Sequence, residues 1–109
     1  MRSHFLTLVL ILSFILTAGC VVSAPDVPEG SDQSLIQGRK VWTTFCVSCH
    51  GPSGSGGRGP SLREIENKYP DLEDISLIIN EGQDGMPSFN ETLDQEEIKS
   101  VARYIKEVL

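Results

Sequence analysis

Cys46-Val47-Ser48-Cys49-His50 sets two thiols three positions apart, with an imidazole directly after the second. C-x-x-C-H is the spacing at which a c-type haem is covalently attached. Each thiol can add to one vinyl group of the porphyrin, giving two thioethers, while His50 reaches the iron from the proximal face. Two other chemistries of the pair have to be weighed. Redox-active dithiols usually sit at a helix start in a βαβ context, and no alternating strand pattern accompanies this one. A structural zinc takes four ligands, usually through a second Cys or Cys/His pair, and only Cys20 and His4, both at the N-terminal end, remain. The expected cofactor is therefore one covalent haem c, held by Cys46 and Cys49.

With His50 on one side of the iron, the other axial position needs a donor. Apart from the initiator, Met86 is the only methionine, and it lies in Gly82-Gln83-Asp84-Gly85-Met86-Pro87-Ser88-Phe89. Glycines let this backbone turn and approach a flat ligand, and Pro87 stiffens the segment just after the sulfur. The loop reads as a device for presenting the Met86 thioether to the metal. The competing reading makes Met86 a flexible filler of a core gap, but its place between Gly85 and Pro87 lies outside any helical pattern.

Helices must position these groups. Ile98, Val101, Ala102, Ile105, Val108 and Leu109 recur along one face of a helix. Asp94 reads as its N-cap and Glu97 as the capping-box partner. Gln95 and Glu96 follow, and the Glu96 charge suits the positive end of the helix dipole, as Lys106 suits the other. Leu72 to Glu81 carries Leu72, Ile75, Leu77, Ile78 and Ile79 between Pro70-Asp71 and Gly82, a second helix with a natural stop. A buried strand is the rival reading of Ile75 to Ile79, since so short an apolar run is ambiguous by period. Leu35, Ile36, Gly38, Val41, Trp42 and Phe45 form a third apolar face, which ends at Cys46. Gly38, one turn before Trp42, leaves room for another helix to cross closely.

Taken in order, these parts resemble the class I c-type cytochromes, specifically the small bacterial single-haem members, over about Ser34 to Leu109. The matching segments are Gln37 to Trp42, Cys46 to His50, the glycine-rich Gly51 to Gly57, Gly59-Pro60-Ser61-Leu62, Met86-Pro87 and Asp94 to Leu109. The resemblance implies an all-α, small cytochrome c fold of helices wrapped around one covalently attached haem. It implies that the Pro60 carbonyl accepts the Nδ1 proton of His50, a contact that fixes ring orientation and ligand basicity. It also implies that Tyr104 partners Trp42, both as core residues.

A domain of this size buries too little of its own apolar surface to be secure without a staple or a ligand. Folding and haem attachment are therefore expected to be linked.

The N-terminus reads as an export signal: Arg2 supplies a positive start, and Phe5 to Leu16 is apolar except for Thr7 and Ser13. Leu16-Thr17-Ala18-Gly19-Cys20 resembles a bacterial lipoprotein cleavage box, although Thr17 stands where a branched aliphatic is usual. The expected organisation is a signal over 1–19, lipidated Cys20 with a flexible tether over 20–33, and the cytochrome domain over 34–109. Cleavage after Ala24, or retention of Phe5 to Val22 as a spanning anchor, are the alternatives. Val21 to Ser34 turns to Ser, Pro, Asp, Glu and Gly and reads as disordered. Such a tether would reach about 45 Å when extended.

The chain carries a net charge of −6, and losing Arg2 with the leader makes it more negative. Nucleic acid is an unsuitable partner for such a chain, while basic protein surfaces suit it. The expected function is one-electron transfer between a redox protein donor and acceptor, expected to be membrane complexes, in a respiratory or photosynthetic chain, without a small-molecule substrate. The expected place is outside the cytoplasm, in the periplasm or on the outer face of the bacterial cytoplasmic membrane. A haem-based gas sensor with displaceable Met86, or a peroxidase-like open site, are the rival functions; neither comes with an identifiable distal His or Arg.

Overall fold

A computed structural model describes residues 19–109; the expected export signal lies outside the described residues but for Gly19. The fold is all-α. Helix α1 spans Gln33–Val41 and runs through a π-helical turn, Trp42–Cys46, into the short α2, Val47–His50. A 3-10 turn covers Ile65–Asn67, α3 covers Leu72–Glu81 and α4 covers Gln95–Val108. Ile75 to Ile79 is thus helical, and among the described residues the only β pairing is an isolated bridge between Gln83 and Met86.

Local chemistry accounts for the helix ends. Asp94 accepts from the Glu97 amide at 2.8 Å while Glu97 Oε2 accepts from the Asp94 amide at 3.1 Å, a complete capping box that satisfies two amides the helix cannot. Asp32 caps α1 by accepting from the Leu35 amide at 3.0 Å. Gly82 ends α3 at φ 73°, its amide bonded to the Ile78 carbonyl at 2.8 Å. The Asp71 side chain makes no cap bond, so α3 starts without that support.

The centre of the core is the crossing of α1 on α4. Trp42, Tyr104, Val101 and Ala102 are completely buried there and Ile98 almost so. Trp42 and Tyr104 rings lie 6.1 Å apart. Gly38 is what lets the helices meet: a methyl there would overlap the Ser100 carbonyl oxygen and stand 2.9 Å from Tyr104 Cβ. Across the crossing, the hydroxyls of Ser34 and Ser100 are 2.9 Å apart and hydrogen-bonded. On the other flank of α4, α3 contributes the buried Ile75 and Ile79.

The segment expected to be a free tether is held to the helices at Ala24–Val27 and again at Asp32, while Cys20 to Ser23 are exposed. Ala24 is only 6% exposed and belongs to the core cluster, with Val27 packed against it. Arg39 donates from Nε to the Pro25 carbonyl at 2.9 Å and from Nη2 to the Ala24 carbonyl at 3.1 Å, and pairs with Asp26 at 2.8 Å. The Tyr104 hydroxyl donates to the same Pro25 carbonyl at 2.6 Å. A polar, proline-bearing sequence has too few apolar groups to fold alone, but its carbonyls here meet donors from α1 and α4. The chain from Ala24 to Asp32 is a strap held to the helices at its two ends, Ala24–Val27 and Asp32, with Pro28 to Gly30 exposed between them.

Candidate haem-attachment site

The attachment motif begins inside the widened turn that ends α1. The Val47 amide bonds to the Trp42 carbonyl, five residues back, so one extra residue enters the helix. Later side chains are thereby rotated by about 100° relative to an uninterrupted α-helix. Thr43 and Thr44 both donate their hydroxyls to the Lys40 carbonyl, at 3.0 and 2.8 Å, giving that carbonyl other partners where the ladder is disturbed. Trp42 can therefore face the core while Cys46, Cys49 and His50 are carried on a re-phased continuation. Trp42 is itself fixed by donating Nε1–H to the Pro52 carbonyl at 2.9 Å, and its ring lies 6.2 Å from that of His50.

His50 is 8% exposed and held from below. Its Nδ1 lies 2.9 Å from the carbonyl oxygen of Pro60. A carbonyl only accepts, so Nδ1 carries a proton, and the neutral ring then presents the Nε2 lone pair, the form a metal requires. The intervening loop closes tightly around the ring. Gly56 and Gly59 amides bond to the His50 and Cys49 carbonyls, each at 2.8 Å. A methyl on Gly59 would stand 2.9 Å from His50 Cε1.

Met86 is presented by a two-residue turn. Asp84 and Gly85 have φ of 48° and 89°, positive at both central positions as in a type I′ turn, and the Met86 amide closes it on the Gln83 carbonyl at 2.8 Å. The chain then passes directly over Gly82, where a methyl would overlap the Met86 carbonyl. Ser88 donates to the Asn80 carbonyl at 2.7 Å and the Phe89 amide to that of Ile79 at 3.1 Å. The loop is thus bolted to the end of α3. Phe89 meets Phe45 edge to face, ring centres 6.3 Å apart, which joins the Met86 loop to the attachment turn.

The donor set fits haem better than its rivals. Burial, with a smaller contribution from Cys49, pushes the Cys46 thiol up to about 12. A dithiol oxidoreductase needs its attacking sulfur lowered instead; a neutral sulfur in apolar surroundings suits a thioether. Among the described residues no group of three or more His, Cys, Asp or Glu side chains converges as a metal site, as zinc would require. Cys46, Leu62, Ile65, Met86 and Phe89, from three separate segments, are apolar, packed on the core and only partly buried, which suits the walls of a cofactor site.

Residues 33–105 match the family described as Cytochrome C oxidase, cbb3-type, subunit III. The chain belongs to this family of class I c-type cytochromes. The cytochrome is 30% identical over 82 residues to cytochrome c-551 of Bacillus subtilis, spanning 75% of this chain and 70% of the relative. It is 29% identical over 101 residues to the cytochrome c6-like protein of Nostoc, spanning 88% and 90%. The crystal structure of cytochrome c6C from Synechococcus superposes with a TM-score of 0.55 at 28% identity, covering 63% of this chain and 89% of that one. The cofactor of this cytochrome is covalent haem c.

Neither the π-helical turn nor the docked strap was readable from local pattern. The Met86 turn carried a usable sign, since Asp-Gly is a preferred pair for the two central positions of such a turn.

Proposed function

We propose that this cytochrome is an exported one-electron carrier, lipid-anchored through Cys20, whose haem is attached by Cys46 and Cys49 and ligated axially by His50 and Met86. The observation that carries this reading is the pair of independently braced donors: His50 oriented through Pro60, and Met86 on a turn tied to α3. Bound haem supplies one-electron exchange between ferric and ferrous iron. The chain's own contribution is to hold both axial donors still across that change, so that few bonds rearrange. A thioether ligand and an apolar surround both favour the ferrous form and raise the potential.

Pro60 holds the proton on His50 Nδ1 and so keeps Nε2 available. Trp42 and the apolar walls exclude water from the proximal side. Redox proteins of basic surface are the fitting partners for so acidic a chain. Cys20 is exposed, as an acylation site requires. The deciding measurement is the absorption spectrum of the exported holoprotein in both oxidation states. The weak sulfur-to-iron charge-transfer band in the far red of the ferric form is expected. Its absence, with ready carbon monoxide binding by the ferrous form, would replace the carrier by a ligand-binding module.

A further inference from the structure

The docked strap changes what an anchor at Cys20 does. If Val21 to Ser34 were free, the domain could wander about 45 Å from its lipid. With Ala24 buried and Ala24, Pro25 and Asp26 held by Arg39 and Tyr104, only Val21, Val22 and Ser23 stand between Cys20 and the packed domain. Three residues span about 10 Å at full stretch. Two of them, Val21 at 90% and Val22 at 63% exposed, are apolar side chains with no cover in the domain. Next to an acylated cysteine, their natural surroundings are the interfacial layer of the bilayer.

We propose that the strap over Ala24–Asp32 is a clamp that seats the cytochrome directly on the lipid surface by the end of the α1–α4 crossing at which Ala24 docks, fixing its orientation instead of letting it swing. The occupant of that end is the membrane, and the reading rests on lipidation of Cys20. The haem then stays at one height above the bilayer, and electron partners must be reached by lateral diffusion in the membrane plane.

The clamp is built from groups that elsewhere in the fold have other work. Arg39 lies on α1, one residue after the Gly38 contact, and Tyr104 is the core partner of Trp42. Both spend their polar ends on the strap's carbonyls. The strap's far end is secured separately, since Asp32 caps α1 and pairs with Arg103 of α4 at 3.0 Å. Release of Ala24 to Asp26 alone would therefore lengthen the leash without loosening α1.

The test uses full-length, lipidated holoprotein in phosphatidylcholine vesicles containing a headgroup-fluorescent lipid, whose emission the haem quenches by energy transfer at short range. Two variants are compared with the natural chain: Arg39→Met combined with Tyr104→Phe, which removes the clamp's donors, and an insertion of twelve Gly/Ser residues between Ser23 and Ala24, which leaves the clamp intact. Twelve flexible residues have a root-mean-square span of about 20 Å, so quenching per bound molecule is expected to fall at least twofold in the insertion variant. A smaller fall in the same direction is expected in the clamp variant, whose leash gains at most the eight residues Ala24 to Ser31, with an unchanged haem spectrum showing that the domain is still folded. Equal quenching in all three proteins overturns the seating. Failure of the lipidation reading looks different: no protein sediments with the vesicles and the mass of the N-terminal fragment lacks acyl chains, and the membrane clamp falls with it.

Discussion

Gly38→Ala sets two known effects against each other at the α1–α4 crossing. In an exposed helix, alanine in place of glycine would gain about 1 kcal/mol through backbone entropy. Here the new methyl would overlap the Ser100 carbonyl oxygen, approach its carbon to 2.7 Å and reach Tyr104 Cβ at 2.9 Å. Two of these three atoms are backbone of the facing helix and cannot rotate away. The helices must separate, and the contact they lose is the tightest in the core, with Trp42, Val101, Ala102 and Tyr104 all completely buried. Overpacking of this kind costs about 1–3 kcal/mol, and an obstacle of backbone atoms belongs at the upper end. The net expectation is a loss of about 1–2 kcal/mol, or about 5–15 °C in the melting temperature of so small a domain. Thermal unfolding of the haem-loaded protein, followed by circular dichroism, measures it. Ser100→Ala serves as the control, since it removes the hydroxyl bonded to Ser34 but leaves the obstructing carbonyl; the double variant should be no better than the sum of the singles. An unchanged or raised melting temperature for Gly38→Ala, or rescue by Ser100→Ala, would refute the close approach.

Tyr104→Phe keeps the packing on Trp42 but loses the bond to Pro25, and should cost about 1 kcal/mol. Burial raises the Tyr104 pKa above its usual value near 10, so its contribution is complete below that value and lost as pH rises through the raised one; the phenylalanine variant should therefore lose part of the alkaline fall in stability, and an unaltered alkaline limb would count against the assignment. Asp32 is shifted the other way, its carboxyl lowered first by the Arg103 hydrogen bond and then by the Leu35 amide. Its contribution is present above the ordinary carboxylate range and lost as pH falls through the lowered value, so Asp32→Asn should show a shallower acid limb in melting temperature against pH. Met86→Ala should remove the far-red ferric band, admit carbon monoxide and lower the potential; a natural protein with a potential well below zero would contradict Met86 ligation. Cys46→Ala with Cys49→Ala should leave a largely unfolded chain by circular dichroism, and a cooperative melt of that apoprotein would show that the polypeptide core suffices alone.

Where the sequence was legible, the signal was local. Asp94 and Glu97 announce α4 because a capping box needs only four consecutive residues, and Gly82 announces the end of α3 because few other residues tolerate φ 73° under a crossing backbone. The attachment pentapeptide is likewise read within five positions. What escaped was decided at a distance. Pro25 and Ala24 look like linker until Tyr104 and Arg39, far along the chain, supply donors for their carbonyls. The π-helical turn has no period of its own over five residues; its single hint is two adjacent threonines, Thr43 and Thr44, bonded to one carbonyl.

The fold divides its work between two regions with different debts to the cofactor. Around the α1–α4 crossing the side chains are fully buried by one another and both helices have side-chain N-caps. Around Cys46, Leu62, Met86 and Phe89 the apolar side chains are only partly covered, and their segments are loops or short turns held mainly by backbone bonds. Haem binding energy therefore acts chiefly on the second region. Trp42 is the link: it is packed on Tyr104 in the first and lies beside His50 in the second, with Nε1 held by the loop that supports the histidine. Substitutions at Gly38 or Ser100 should move stability with little change in potential, those in the Met86 loop should move potential first, and Trp42 should move both together. A Trp42→Phe variant that lowered stability but left the potential and the His50 environment untouched would show the two regions to be coupled through some other path.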